Sequence, residues 1–268
     1  MSIPSVKDAV TIITGASSGI GRACAIEYAR AGAVVVLASR NESRLRELAG
    51  EIKDDGHAEP LVVPTDVTRA PQVQKMAAAA MTAFGRIDIL VCNAGVGLYS
   101  PVGTLPEEAL RRVFEVNFFG VVRTVQAALP HMLGRGSGLI QIVSSVIGVR
   151  AVPGYAGYCS TKFALSAVAE SLRVEVAGSG LRVQMIYPGL TDTAFSANAI
   201  LRGPDTRSYR IKPAPADKVA RVMVRAARGR SRDQYISFSG RLLGALNRFS
   251  PSLVDTILAH VMNPRASR

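Results

Sequence analysis

Tyr158 and Lys162 stand four residues apart in Tyr158-Cys159-Ser160-Thr161-Lys162, at the opening of a stretch that reads as helical through Ala177. Residues at i and i+4 share a helix face, so this spacing sets a phenol beside an ammonium. A neighbouring cation favours the phenolate and brings the phenol's pKa toward working pH, the condition for handing a proton to an oxygen and taking it back. Chance produces the pair readily, so by itself it is a weak signal. Tyr155 lies close by, but the residue four positions beyond it is Cys159 and carries no cation.

Thr14-Gly15-Ala16-Ser17-Ser18-Gly19-Ile20-Gly21 carries a different chemistry. Glycines at 15, 19 and 21 let the backbone turn sharply and approach a pyrophosphate, whose charge the N-terminus of the following helix favours. The spacing is Gly-x-x-x-Gly-x-Gly rather than the commoner dinucleotide fingerprint Gly-x-Gly-x-x-Gly. A tight loop without any ligand would use the same glycines, but the position directly after a first strand favours phosphate binding. Cofactor choice is read at the end of the second strand, where an acidic residue would hold both ribose hydroxyls and repel a 2′-phosphate. This sequence has Ala38-Ser39-Arg40 there, with Arg44 one helical turn later. Ser39 removes the repulsion and a guanidinium pairs bidentately with phosphate, so NADP(H) is expected over NAD(H). The competing reading is that Arg40 is simply solvated.

The elements that must position these groups alternate along the chain. Apolar, β-rich runs lie at 9–14, 33–38, 59–64, 87–92, 139–144 and 182–187, with helical stretches through Ala31, over 42–55 and over 70–84. Continuous β-branched runs suit strands covered on both faces. Strands alternating with helices imply βαβ units and a parallel sheet. The expected fold is therefore α/β, a doubly wound parallel sheet of about seven strands flanked by helices. One domain over 1–268 is expected, since no linker or repeat interrupts the pattern. The segment 193–215 breaks the rhythm with Gly203, Pro204, Pro213 and Pro215. It reads either as a substrate loop at the crevice or as an ordinary surface excursion.

Further motifs fall in order between these elements: Asn93-Ala94-Gly95 after the fourth strand, Asn117-Phe118-Phe119-Gly120, Ser144-Ser145, and Pro188-Gly189. With the glycine turn and the Tyr158/Lys162 pair they resemble the short-chain dehydrogenase/reductase family over roughly residues 8–195. The resemblance implies a Rossmann-type enzyme in which Tyr158 is the general acid/base and Lys162 depresses its pKa and binds the nicotinamide ribose. Ser145 would hydrogen-bond the substrate oxygen, and Asn117 would hold a water in a proton relay from Lys162. The family's usual separation of about 13 residues selects Ser145 over Ser144 as the tyrosine's partner. Asp66-Val67 resembles the adenine contact, and Asn93, Ala94 and Gly95 the stretch beside the cofactor. Pro188, Gly189, Thr191 and Thr193 resemble the segment that reaches the nicotinamide carboxamide. Cys92 departs from the pattern where a second asparagine is frequent, and Thr191 where an apolar residue is common. A homodimer or homotetramer is implied by the resemblance alone.

Composition narrows the remaining classes. No stretch approaches ~18 uninterrupted apolar residues, so a spanning helix is not expected, and the start lacks a secretion-signal layout. Cys24, Cys92 and Cys159 are scattered, as are His57, His131 and His260, so neither a disulfide framework nor a metal site is expected and a reducing, cytoplasmic setting is the default. The net charge is +12, and residues 201–268 hold fourteen Lys/Arg against four Asp. Such a surplus suits an anionic ligand or membrane; nucleic acid is not expected, because no basic motif is interleaved with aromatics. Within 240–262, Leu242, Leu243, Leu246 and Phe249, then Leu253, Val254, Ile257, Leu258 and Val261, recur at helical spacing around Pro251. This amphipathic extension reads as helices packed on the domain or a second subunit, or as a basic apolar arm that rests on an anionic membrane or shapes a lipid-like pocket. The expected activity is hydride transfer between NADP(H) and a carbonyl/secondary alcohol of an apolar substrate, with no metal. A catalytically silent nucleotide-binding regulator or scaffold, or a lyase or epimerase on the same fold, stays open beside it.

Overall fold

The computed structural model describes residues 5–201 and 212–262. Gly203 and Pro204 of the irregular segment lie outside the described residues, as do Arg202, Arg207, Arg210, Arg265 and Arg268. The elements run β1 (Val10–Thr14), α1 (Gly19–Arg30), β2 (Val34–Ser39), α2 (Glu42–Asp54), β3 (Leu61–Pro64), α3 (Ala70–Phe84) and β4 (Ile89–Cys92). Then α4 (Glu107–Phe114) continues through a π turn (Glu115–Phe119) into α5 (Gly120–Arg135), followed by β5 (Gly138–Val143), α6 (Ala156–Glu175) and β6 (Leu181–Tyr187). The remaining elements among the described residues are β7 (Thr191–Asp192), β8 (Ala214–Pro215), α7 (Ala216–Ala227), β9 (Asp233–Tyr235), α8 (Phe238–Phe249) and α9 (Pro251–Met262).

Seven of the strands form one sheet in the order β3-β2-β1-β4-β5-β6-β9, with every neighbouring pair parallel. β1, β4 and β5 are buried at every position, which explains their unbroken apolar runs: each strand is covered on both faces. Alternate residues feed two cores. Ile12, Leu90, Ile140 and Met185 pack with α3, α5 and α6 on one side, while Ile13, Val91, Leu139 and Ile186 pack with α1, α2 and α7 on the other. The strand order reverses between β1 and β4, and a doubly wound sheet opens its ligand crevice at the carboxyl ends beside such a reversal.

Three features lie beyond the sequence pattern. β9 is only Asp-Gln-Tyr, with no apolar run, yet it pairs with β6 from Met185↔Asp233 to Tyr187↔Tyr235. β7 and β8 pair Thr191↔Ala214 and Asp192↔Pro215, tying the two ends of the irregular segment together. The amphipathic extension begins two residues earlier than its expected start at 240, because Ser237 caps α8: its hydroxyl accepts from the Gly240 N–H at 3.1 Å. Gly240 lets α8 approach the turn after β5; a Cβ there would meet Val146 Cγ1 at 2.3 Å. Arg150 secures the hairpin by donating to Asn247 at 2.9 Å and ion-pairing with Asp255. Among the described residues no helix is long and apolar enough to cross a membrane.

A buried polar chain anchors α1, and with it the glycine turn, to the middle of the sheet. Tyr28 donates to Gln141 Oε1 at 2.8 Å; Gln141 donates to Gln184 Oε1 and to the Met223 carbonyl, each at 3.0 Å. Gln184 then donates to the carbonyls of Ala226 and Ser231, each at 2.9 Å. Tyr28, Gln141 and Gln184 are essentially inaccessible, so each bond replaces water that cannot return. Gln141→Leu keeps the volume but strands the Tyr28 hydroxyl and the Met223 carbonyl. Urea unfolding is expected to show a loss of about 2–4 kcal/mol, and a loss below about 1 kcal/mol would mean that water or a rearranged neighbour satisfies those groups.

Candidate active site

The glycine turn is built by close approach. Gly15 has φ +69° and faces β4's exit; a Cβ would lie 2.9 Å from both Ala94 Cα and the Asn93 amide nitrogen. Gly21 is tighter still, since its Cβ would meet the Gly15 carbonyl oxygen at 2.2 Å. Asn93 stitches the turn to the sheet. Its side-chain amide donates to the Thr14 carbonyl at 2.9 Å, and its own N–H reaches the Thr14 hydroxyl at 3.0 Å. The Ala94 N–H shares that hydroxyl at 3.2 Å. Ser17, Ser18, Gly19 and Ile20 are part-exposed along the turn. Ser18 occupies the N-cap of α1 without a capping side-chain bond, and the first turn holds no acid. The N–H groups at that helix end therefore have no capping side chain or first-turn carboxylate as an internal partner.

At the end of β2, Ser39 is buried, and its hydroxyl oxygen has no hydrogen-bond partner. Arg40 is exposed, and among the described residues neither Arg40 nor Arg44 forms an ion pair. Arg44 is placed by Asn41, which caps α2 by accepting from the Arg44 N–H at 3.0 Å. Asp66 Oδ1 accepts from the Thr68 N–H at 2.9 Å and the Thr68 hydroxyl at 2.8 Å. Val67 is buried against Gly120, where a Cβ would meet Val67 Cγ2 at 2.7 Å.

The proton-transfer candidates gather at the carboxyl ends of β4 and β5. Ser145 follows β5 as the cap of a short 3-10 turn, accepting from the Ile147 N–H at 3.3 Å, and lies near enough to Tyr158 to act on its phenol. Ser144 turns the other way and donates to the Lys162 carbonyl at 3.3 Å. Lys162 is buried on the same face of α6 as Tyr158, with Nζ 5.7 Å from the phenol ring centroid. It donates to the Val143 carbonyl at 2.9 Å. An ammonium has three donors, so this leaves capacity for a bound hydroxyl group. Asn117 is fully buried in the π turn; it accepts from the Val96 N–H at 2.8 Å and donates to the Val96 carbonyl at 2.9 Å and to Thr161 at 3.3 Å. Both of its N–H donors are thus committed, and a relay water would find only an acceptor on this side chain. Gly95 lies between, its built Cβ 3.3 Å from Asn117 Oδ1 and 3.8 Å from Lys162 Nζ.

Electrostatically, burial dominates this cluster. It lowers Lys162 to about 8 and raises Tyr158 well above the ordinary phenol value, against a smaller lowering by Ser145. The Lys162 ammonium donates to the Val143 carbonyl, and burial is the largest influence on the phenol.

The segment after β7 forms a strap over these groups. Thr193 lies against Gly19, where a built Cβ would meet Thr193 Cγ2 at 3.0 Å. Phe195 sets its ring edge to face with Tyr158, centroids 5.7 Å apart. The strap is pinned by Ile200 N–H to Gly97 carbonyl at 2.9 Å and Tyr99 N–H to Leu201 carbonyl at 3.0 Å. Beneath it, Tyr158 sits in an apolar cluster with Leu98, Ala109 and Val113, lined further by Val96, Ile147 and Ile200. Phe195, Tyr99 and Leu98 carried no signal in the sequence, because lone apolar residues in irregular segments have no periodicity to reveal their direction. Thr191 donates to the Gly189 carbonyl at 3.0 Å, and the Pro188 carbonyl accepts from the Val146 N–H at 2.9 Å, fastening β6's exit to the Ser145 turn. Among the described residues no group of three or more His, Cys, Asp or Glu is placed to hold a metal.

This geometry has close relatives. The chain matches the family described as short chain dehydrogenase over residues 9–201. It is 35% identical over 266 residues to the uncharacterized oxidoreductase YxnA of Bacillus subtilis (strain 168), covering 98% of this chain and 74% of that one. It is 36% identical over 202 residues to dehydrogenase/reductase SDR family member 7B of Danio rerio, covering 74% of this chain and 65% of the relative's length. A short chain dehydrogenase/reductase from Burkholderia phymatum in complex with NAD superposes with a TM-score of 0.85 at 27% identity, over 93% of this chain and 96% of that one. An alcohol dehydrogenase from Thermococcus sibiricus complexed with 5-hydroxy-NADP gives 0.76 at 30% identity, over 85% and 95%. On its matched sequence, its seven-stranded parallel sheet and these relatives, the chain belongs to the short-chain dehydrogenase/reductase family of oxidoreductases.

Proposed function

We propose that the chain is an NADP(H)-dependent oxidoreductase that interconverts a carbonyl and a secondary alcohol on an apolar substrate, with Tyr158 as its proton-transfer residue. The observation that carries this reading is the buried Tyr158 with Ser145 near enough to act on its phenol, at the edge of an apolar cluster, and with Lys162 buried on the same helix face. A nucleotide bound along the glycine turn would supply or accept the hydride. The turn and the α1 N-terminus would hold the pyrophosphate, and Ser39, Arg40 and Arg44 the 2′-phosphate. The NADP derivative in the Thermococcus sibiricus enzyme is consistent with that choice, while the NAD in the Burkholderia phymatum protein belongs to the alternative.

The side chains then have distinct tasks. Ser145 donates to the substrate oxygen and holds it beside the Tyr158 hydroxyl. Tyr158 gives its proton to that oxygen on reduction and recovers one on oxidation. Lys162 keeps a cation near the phenolate left behind and offers its remaining donors to the nicotinamide ribose. Asn117 fixes Val96, and so the path on which Gly95 passes Lys162. Leu98, Ile147, Ile200 and Phe195 exclude water and favour an apolar substituent on the substrate. A silent nucleotide binder gains nothing from a buried ammonium beside a buried phenol, and the cost of that burial argues for turnover.

With a panel of apolar ketones, Tyr158→Phe is expected to lower NADPH-dependent turnover by about 10²–10⁴-fold while NADPH still binds; turnover within tenfold of wild type would remove Tyr158 from the role. NADPH is expected to bind more tightly than NADH. Arg40→Ala should narrow that ratio by roughly 10-fold or more, as loss of a charge-assisted bond requires, whereas a wild type that prefers NADH would refute the assignment. The burial of Lys162 also sets a pH signature. Its folded value of about 8 lies below its ordinary 10.5, so between those limits the folded chain has released a proton that the unfolded chain still binds. Stability contributed by this site therefore rises as pH increases from about 8 toward 10, by on the order of 2 kcal/mol. Thermal unfolding of the ligand-free protein should show wild type gaining on Lys162→Met over that range, and a constant difference would contradict the buried cation.

A further inference from the structure

The outer face of the α8–α9 hairpin is unlike the rest of the surface. On α8, Phe238, Leu242 and Phe249 recur at i, i+4 and i+11 and so fall on one stripe; Phe238 is 80% exposed and Phe249 85%. On α9, Leu253, Ile257 and Val261 form a second stripe at i, i+4 and i+8, with Val261 60% exposed. The inner face is already occupied: α8 lies on Val146 and Tyr235 through Gly240 and Gly244, Val254 is buried, and Arg150 clamps both helices. The hairpin is therefore seated on the domain, and the stripes are left over after its own packing is complete. Six large apolar side chains on two adjacent helices make a patch larger than scattered surface residues explain.

Charge indicates what covers it. Arg241 and Arg248 lie one heptad apart on a single flank of the α8 stripe, and among the described residues neither forms an ion pair. The lone acid on these helices, Asp255, is committed to Arg150. Arg265 and Arg268 follow in sequence, so positions 236–268 hold four arginines against one aspartate. In a two-fold contact the patch would meet itself, bringing these cations toward their own copies. An anionic lipid surface satisfies both halves of the pattern, taking the apolar stripes into the acyl boundary and the guanidinium groups among headgroups. We infer that the α8–α9 hairpin docks the protein on a bilayer bearing anionic phospholipids. This inference is independent of the reaction proposed above, since none of its residues is assigned to the site.

The test is co-sedimentation of the full-length chain with vesicles of phosphatidylcholine, with and without phosphatidylglycerol. Binding is expected only with phosphatidylglycerol and should weaken as salt is raised. Phe238→Ser with Phe249→Ser should lose at least ~10-fold in partitioning, and Arg241→Gln with Arg248→Gln about 5-fold per arginine. Unchanged melting by circular dichroism would show that the exposed substitutions leave the fold intact. Three results would overturn the inference: wild type remaining in the supernatant with phosphatidylglycerol at low salt, phenylalanine variants sedimenting like wild type, or those variants splitting a solution oligomer into monomers by ultracentrifugation. The last would assign the face to a second copy of the chain.

Discussion

At the seam between β1 and β4 the sheet reverses its order, and the chain leaves two neighbouring parallel strands in opposite directions. Thr14 and Asn93 hold that seam together: the threonine hydroxyl accepts from the N–H groups of Asn93 and Ala94, and the asparagine amide reaches back to the Thr14 and Gly15 carbonyls. Everything functional is referenced to this clasp. On one side it sets the glycine turn, where Gly15 and Gly21 approach too closely for any side chain. On the other it aims Gly95 between Asn117 and Lys162. A displacement of the clasp would move the glycine turn and the Asn117–Lys162 neighbourhood together, because both are anchored to it.

The cluster itself is held in a tension that packing alone would relieve. Burial works against a charged Lys162 and against an ionised Tyr158. Both side chains are nevertheless locked by α6, whose close approach to the Ser145 turn depends on Gly148; a Cβ there would meet Ser144 Oγ at 2.5 Å and Lys162 Cβ at 2.9 Å. The stability given up at these positions is recovered elsewhere, in the apolar layers on both sheet faces and in the Tyr28–Gln141–Gln184 chain.

The strap and the C-terminal hairpin both pack against the elements around Tyr158 and Ser145. Phe195 closes one side of the apolar cluster around Tyr158, while α8 supports the turn after Ser145 through Val146. The surroundings of the site thus come from segments far apart in the chain.

Much of this was legible without a structure, for a physical reason. Strands buried on both faces demand continuous β-branched runs, so β1, β2, β4 and β5 announce themselves in sequence, and phosphate turns demand glycines at positions where no Cβ fits. The i, i+4 spacing of Tyr158 and Lys162 likewise follows from helix geometry alone. What sequence could not decide was anything that depends on long-range placement. Ser144 and Ser145 are chemically identical neighbours, and only the direction of the turn sends one to Lys162 and the other to Tyr158. β9 exists because β6 offers an open edge, Phe195 matters because the strap folds back, and Asn117 is committed to Val96 by a π turn that no periodicity marks. The sign of the Tyr158 shift belongs to the same group. Adjacency of the cation is written in the local spacing, but desolvation is a property of everything packed around the pair, and only the tertiary structure sets it.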